Sequence, residues 1–150
     1  MGQQQLLLLV LSTVIVGLAT VAGIQAFSEN QAQASQDALV QRGTSIASDV
    51  QGLAGKPSQM GGIDLSDTDS DIASSKLISR LGYENLNDAD SVAAQGAGSS
   101  AGCGINATGG SVLVHCRSPD APQDVTVGFD PTADPKVQTE FGSGEKNPFD

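Results

Sequence analysis

An uncharged, largely apolar stretch spans residues 6–27 near the start of the chain and is 22 residues long. About 20 such residues are enough for a helix to cross a bilayer. A cleaved secretory signal, cut after Ala26, would normally follow a basic region, but residues 1–5 contain no Lys or Arg. A plain membrane anchor is a second explanation. A helix that is first an anchor and then the core of a filament is a third.

The helical pattern continues beyond this stretch, because no Pro occurs in residues 28–54. Small or apolar residues recur there at helical spacing as one narrow stripe: Ala32, Leu39, Gly43, Ile46, Val50 and Leu53. The run Gly55-Lys56-Pro57 predicts the end of the helix. A continuous helix over residues 6–53 would be about 72 Å long, more than twice the hydrocarbon thickness of a bilayer. We therefore expect its second half to pack on a small sheet.

The first half offers candidate residues for packing between helices. Small residues lie four apart, Ala19 with Gly23 and Ala22 with Ala26, which lets helices approach closely in lipid. Chance occurrence in a span rich in Ala and Gly explains the same spacing. The predicted helix-packing set is Leu6, Leu7, Val10, Val14, Gly17, Ala19, Gly23 and Phe27.

The charge balance limits the partners. The formal net charge is −10, and 13 of the 17 acidic residues are Asp, against four Lys and three Arg. Nucleic acids and anionic lipid surfaces both require clustered cations, so we expect neither as a partner. With no Trp and one Tyr, the residues outside the apolar stretch can bury only a modest core.

The remainder of the chain predicts a small, strand-rich head. The β-branched content of residues 111–116 and 124–129 predicts two strands, with a turn between them at residues 118–122. An edge strand is suggested at residues 137–141. A short helix capped by Asp71 is expected to end at Leu81, with Gly82 just beyond it. We expect residues 93–104 to form a loop or a poor strand. Asn106 begins a glycosylation sequon in an expected turn, and residues 142–150 are expected to be loose.

Cys103 and Cys116 predict one disulfide closing a loop of about 14 residues, which would stabilise the fold by on the order of 3 kcal/mol. Metal binding with His115 is the competing explanation. The acidic run at residues 64–71 begins like a calcium loop but has Ile72 where an EF-hand needs Gly. No nucleophile elbow, catalytic triad or phosphate-binding loop is present in the sequence. We therefore expect no metal, no cofactor and no enzymatic activity.

The N-terminal sequence resembles the leader junction of type IV prepilins. In that family a short leader ending in Gly precedes an uncharged helix, as Met1-Gly2 precedes Gln3-Gln4-Gln5 and the apolar run here. Residues 49–62, with Lys56-Pro57 ahead of a Gly-rich loop, are similar to the junction between helix and head in a pilin-like bacterial group. The resemblance covers about residues 1–62. Unlike most type IV pilins, the chain has Gln3 at the expected mature N-terminus and Leu7 where a Glu is usual.

The resemblance implies cleavage by a prepilin peptidase between Gly2 and Gln3. It also implies residence in the inner membrane, followed by extraction into an extracellular surface filament by pilus assembly machinery, with copies of the chain itself as the main partner. Because Leu7 replaces the Glu that pairs with a neighbouring N-terminus, registration between subunits would depend on packing or on the glutamines.

The predicted fold class is α+β: a long N-terminal α-helix over about residues 6–54, packed by its second half on a small antiparallel β-sheet head. The predicted regions are 1–27 (leader junction and transmembrane or filament-core helix), 28–57 (amphipathic continuation and connecting loop) and 58–150 (disulfide-containing head). The predicted function is a structural subunit of a type IV pilus-like filament. The alternatives are a minor pilin or pseudopilin of a secretion or uptake system, and a membrane-anchored extracellular binding module.

Overall fold

The computed structural model describes residues 2–65, 74–86, 91–144 and 148–149. One long helix, α1 (Gly2–Ala54), occupies the first third of the chain, so the predicted continuity across residues 27 and 28 is confirmed. It ends where the sequence predicts. The amide of Gly55 donates to the carbonyl of Gln51 (3.1 Å), and Pro57 then precedes a short 3₁₀ helix, Ser58–Met60.

The head is a five-stranded antiparallel sheet in which each strand pairs with the next along the chain. The strands are β1 (Ser91–Ala93), β2 (Gly102–Thr108), β3 (Ser111–Arg117), β4 (Asp124–Phe129) and β5 (Val137–Gly142). The connections between neighbouring strands are between two and eight residues long, and the one between β2 and β3 is the shortest. Gly109 and Gly110, with φ of 61° and 88°, form the turn between β2 and β3 because Gly adopts this conformation without steric cost. The α+β prediction is confirmed.

The core lies between the sheet and the second half of α1. From this half, which we call the docked segment (residues 35–54), Leu39, Gly43, Ile46 and Val50 are buried. They lie against the inner face of β3 and β4, which contributes Val112, Val114, Val125, Val127 and Phe129. The predicted stripe therefore identified the docked face, although Ala32 and Leu53 are only partly buried.

A disulfide joins Cys103 on β2 to Cys116 on β3, which face each other in the strand register. Both cysteines are fully buried beneath α1. The predicted pairing is confirmed, and both residues are therefore committed to the covalent bond.

A second helix, α2 (Ser74–Leu81), ends where the sequence predicts and contributes buried Leu77 and Ile78 to the core. Gly82 follows it with φ of 76°, a left-handed residue suited to ending a helix. The guanidinium of Arg80 donates to the carbonyl of Gly62 (2.7 Å) and so ties α2 to the loop after α1. The predicted cap Asp71 and most of the acidic run lie outside the described residues.

Two expectations about the head are wrong, and a third is confirmed only in part. The expected loop or poor strand at residues 93–104 is a loop over residues 94–101, between the end of β1 at Ala93 and the start of β2 at Gly102. Asn106 lies within β2 rather than in a turn, since the turn begins only at Gly109. The chain end is not loose at Pro148 and Phe149: a Cβ added to Gly128 on β4 would lie 2.7 Å and 2.5 Å from them. They pack on the outer face of the sheet, where Gly128 leaves room.

Candidate assembly surface

The first half of α1 contacts no other part of the described chain. We call residues 6–27 the apolar segment. Its large apolar side chains are all between 52% and 73% exposed: Leu6, Leu7, Leu8, Leu9, Val10, Leu11, Val14, Ile15, Val16, Leu18, Val21, Ile24 and Phe27. Soluble monomers rarely expose so large a contiguous apolar surface. Lipid or other apolar helices would remove this surface from water.

Within the described residues, α1 is the one helix long and apolar enough to cross a membrane, and no part of its most apolar window is buried in the protein. Two facts distinguish it from the core helix of a soluble protein. Its apolar segment is exposed on all sides, and the same helix continues without a break into the docked segment. The helix is thus suited to act as a membrane anchor attached rigidly to the head.

The polar side chains of the apolar segment are compatible with an apolar environment. The hydroxyls of Ser12 and Thr13 donate to the carbonyls of Leu9 and Val10 (2.9 and 2.8 Å), and the hydroxyl of Thr20 donates to the carbonyl of Val16 (2.8 Å). A hydroxyl without a partner in hydrocarbon would cost several kcal/mol. Because the three hydroxyls donate to carbonyls of their own helix, they can be placed in lipid or against a neighbouring helix without leaving a donor unpaired.

Gly17 and Gly23 are two positions of the apolar segment that carry no side chain. Nothing lies within 4 Å of a Cβ added to Gly17 or Gly23, so neither glycine is required by the fold of a single chain. Ala19 is also exposed, between them along the helix. The helix-packing role predicted for Gly17, Ala19, Gly23 and the larger side chains stays a prediction, as does cleavage between Gly2 and Gln3, which lie exposed in the first turn of α1.

The docked segment is fastened to the head by a polar cluster that sequence reasoning missed. Arg42 donates from Nε to the carbonyl of Ala93 (3.2 Å), and its guanidinium carbon lies 4.8 Å from the centre of the Tyr83 ring. The hydroxyl of Tyr83 donates to the carboxylate of Asp49, which lies about two turns beyond Arg42 along α1. Seven residues separate Arg42 from Asp49, the spacing of one helix face. That spacing was visible in the sequence, but nothing in the sequence placed Tyr83 beside it.

Burial raises the pKa of Tyr83 above its ordinary value, and the Asp49 carboxylate raises it further, while Arg42 acts in the opposite direction. The phenol therefore stays protonated and keeps donating to Asp49 across the neutral pH range. Arg42, Asp49 and Tyr83 together hold one orientation of the head on α1.

His115 is held by neighbouring side chains on the outer face of the sheet. Its Nδ1 lies 3.0 Å from the Thr126 hydroxyl, and its Nε2 lies 3.7 Å from the Asp124 carboxylate. Because Cys103 and Cys116 are bonded to each other, neither is a free thiol that could bind a metal ion together with His115. Within residues 2–65, 74–86, 91–144 and 148–149, no group of three or more His, Cys, Asp or Glu is arranged to hold a metal ion.

The glycosylation candidate Asn106 has an exposed side chain on β2, and its Oδ1 accepts a hydrogen bond from the Ser74 hydroxyl (3.4 Å). Its modification stays a prediction.

Comparison of the chain with protein-family models, curated proteins and solved structures found no match. The architecture itself, a long apolar N-terminal helix with a small antiparallel sheet on its second half, is compatible with a pilin-like fold.

Proposed function

We propose that this chain is a structural subunit of a pilin-like extracellular filament. Its apolar segment resides in the membrane before assembly and among the same segments of other copies afterwards. Exposure of the apolar segment on all sides, in a helix whose continuation is docked on the head, is the observation that carries the proposal. Lipid and a bundle of like helices both remove that surface from water, and the satisfied hydroxyls suit both environments.

The resemblance of residues 1–62 to type IV prepilins supports the same proposal. It adds processing between Gly2 and Gln3 by a prepilin peptidase, and extraction from the inner membrane by assembly machinery. Without a Glu at position 7, the apolar surface and the glutamines Gln3, Gln4 and Gln5 would set the register between neighbours.

The test replaces Gly17, Ala19 and Gly23 together with Leu in the native host. In a filament core these side chains would obstruct close helix packing, so sheared surface filaments should disappear while the chain still accumulates in the membrane. The matched control replaces Val16 and Val21 with Leu, which adds a methylene group at exposed apolar positions and should leave filaments intact.

A membrane-anchored binding module is the alternative from a different class. Its anchor needs only hydrophobicity, so it predicts that the triple Leu variant behaves like the unsubstituted chain. A purely membrane-bound distribution of the unsubstituted chain, with none in sheared surface material, would overturn the filament proposal.

Abundance separates a major subunit from a minor pilin or pseudopilin of a secretion or uptake system. One dominant band in sheared filaments indicates the major subunit. The mass of that band also tests processing: loss of Met1-Gly2 supports prepilin cleavage, whereas loss of residues 1–26 indicates secretion.

A further inference from the structure

The Cys103–Cys116 disulfide lies in the middle of a row of side chains that crosses the inner face of the sheet. In the strand register, Cys103 on β2 faces Val92 on β1. Cys116 on β3 faces Val125 on β4. Directly opposed residues of an antiparallel pair point to the same face, and both valines are buried. Within the sheet, the disulfide is therefore enclosed on each side by a buried valine.

The docked segment covers this row at Gly43. A Cβ added to Gly43 would lie 3.4 Å from Sγ of Cys116 and 2.8 Å from Cγ2 of Val127. One added carbon would thus already touch the disulfide and overlap a neighbouring valine. Both cysteines have an exposed fraction of 0%. The gap between the helix backbone and the sulfur of Cys116 therefore has no room for an atom of another molecule.

Disulfides form and break by thiol–disulfide exchange, in which a thiolate attacks a sulfur atom and a mixed disulfide is the intermediate. A mixed disulfide on either cysteine carries a further sulfur and its carbon beside Sγ. The docked head leaves no room for these atoms, because α1 lies above the bond and Val92 and Val125 lie at its sides. The bond is therefore closed to exchange while the docked segment is in place.

The docked segment is the wall of this enclosure that can move without breaking the sheet. Strands β2, β3 and β4 are each hydrogen-bonded to a neighbour on both sides. The docked segment is instead held by side chains, namely its buried apolar residues such as Ile46 and the polar contacts of Arg42 and Asp49. Undocking of α1 would therefore uncover both sulfurs while the strand register stays intact.

We propose that the disulfide forms before the docked segment packs on the sheet, by exchange with a disulfide-bearing oxidant, and that docking then closes it to other thiols. The thiolate of one cysteine attacks the oxidant, forms a mixed disulfide and releases one sulfur of the oxidant. The thiolate of the other cysteine then attacks Sγ of the first and releases the second sulfur. Two cysteine thiols are thus oxidised to one disulfide, the oxidant is reduced to two thiols, and the two protons pass through water to the released sulfurs.

The proposal concerns the fold of one chain, so it holds whether or not copies assemble into a filament. Disulfide-bearing oxidants act in oxidising compartments outside the cytosol. A head that docked with both cysteines reduced would have to undock before such an oxidant could reach them. Oxidation first and docking second is therefore the direct order.

The test measures reduction of the full-length oxidised chain in detergent, because exchange passes through the same mixed disulfide in both directions. Dithiothreitol is added in excess, samples are alkylated, and intact mass counts the free thiols. The folded chain should be reduced on the order of 100-fold more slowly than the same chain unfolded in guanidinium chloride, since it must first open locally. A folded chain that is reduced as fast as the unfolded chain would overturn the proposal. The measurement needs no filament, so this failure is separate from a failure of the filament proposal.

The variant Ile46→Ala tests whether α1 is the part that opens. Ile46 is a fully buried side chain of the docked segment, and its truncation should weaken docking enough to speed reduction about ten-fold or more. The matched control is Leu77→Ala, which truncates an equally buried side chain of α2. Denaturation in the same detergent gives the overall stability of each variant.

At an equal loss of overall stability, Ile46→Ala should be reduced faster than Leu77→Ala. Equal rates would show that the bond opens only with the whole head, and this result would overturn α1 as the part that opens. If Ile46→Ala does not fold, the comparison of the folded with the unfolded unsubstituted chain still decides whether the docked head is closed to exchange.

Discussion

At the scale of single residues, Gly43 determines how closely α1 approaches the sheet. A Cβ added there would lie 2.8 Å from Cγ2 of Val127 and 3.4 Å from Sγ of Cys116. Glycine normally weakens a helix interior by about 1 kcal/mol relative to Ala. Its presence at the centre of the docked segment is explained by this approach, which lets the helix backbone cover the disulfide.

Gly43→Leu should lower the free energy of unfolding of the head. Overpacking a closely packed core costs about 1–3 kcal/mol, more than the roughly 0.8 kcal/mol that Leu gains over Gly in helix propensity. Chemical denaturation in detergent, followed by circular dichroism, measures the change. Gly17→Leu is the control in the same helix, since nothing lies within 4 Å of its added Cβ. Equal midpoints for the two variants would contradict close docking at position 43.

Tyr83 is the second residue whose role depends on its contacts, here with Asp49 and Arg42 of α1. It is the one tyrosine of a chain without Trp, so its ionisation can be followed directly by ultraviolet absorbance. Its pKa is raised by burial and then by Asp49. The folded state therefore holds the phenolic proton more tightly than the unfolded state. This contribution to stability is complete below the unfolded pKa of about 10 and is lost as pH rises through the folded pKa.

The absorbance titration of Tyr83 should have its midpoint above the ordinary tyrosine value, and Asp49→Asn should move the midpoint down. Asp37→Asn, at an exposed position of the same helix, should leave it unchanged. A titration of the unsubstituted chain at the ordinary value would show that Tyr83 does not pack against α1 at Asp49 as described.

At the scale of elements, the two faces of the sheet are covered by different parts of the chain. The inner face is covered by the docked segment, and part of the outer face by Pro148 and Phe149, which lie over Gly128 of β4. On this outer face Thr126 is almost fully buried, at 2% exposure. The chain end is therefore a structural part of the head.

Gly128→Ala should release Pro148 and Phe149 from the sheet, because the new Cβ would come within 2.7 Å of both residues. The expected result is faster digestion of the chain end by a carboxypeptidase, with an unchanged disulfide. Gly102→Ala is the matched control on the same face, where the nearest atom is 3.5 Å away. Equal digestion of both variants would count against docking of the chain end.

At the scale of the whole molecule, α1 is divided between two environments. The docked segment is stabilised by the head, whereas the apolar segment makes no contact that the head requires. A change in one half should therefore leave the other half intact. Under the proposed function, this division would let the subunit exchange lipid for protein around its first half while the head keeps its fold.

Val14→Arg should reduce membrane integration and spare the head. A charge at the centre of a membrane helix costs about 2.5–3.5 kcal/mol, which corresponds to roughly a hundredfold in partitioning. Carbonate extraction of membranes measures integration, and the oxidised Cys103–Cys116 pair reports the state of the head. Thr44→Arg, at an exposed position of the docked segment, should integrate normally. Equal extraction of both variants would show that the apolar segment does not lie in lipid.

The sequence by itself determined the features that depend on local periodicity. Helix α1, its docked stripe around Leu39 and Ile46, strands β3 and β4 and the end of α2 at Gly82 all follow from spacing, β-branched content and glycine. The disulfide followed from two cysteines in a short stretch. These signals are carried by neighbours in the chain, so they could be recognised without knowing the packing.

Only the tertiary structure decided which distant residues meet. The contact of Tyr83 with Arg42 and Asp49, the strand at Cys103 within an Ala- and Gly-rich stretch, and the docking of Phe149 on Gly128 all join separated parts of the chain. A small side chain or a glycine contributes little local preference, and its role is to leave room for a partner. That partner is defined only once the sheet and α1 have packed together.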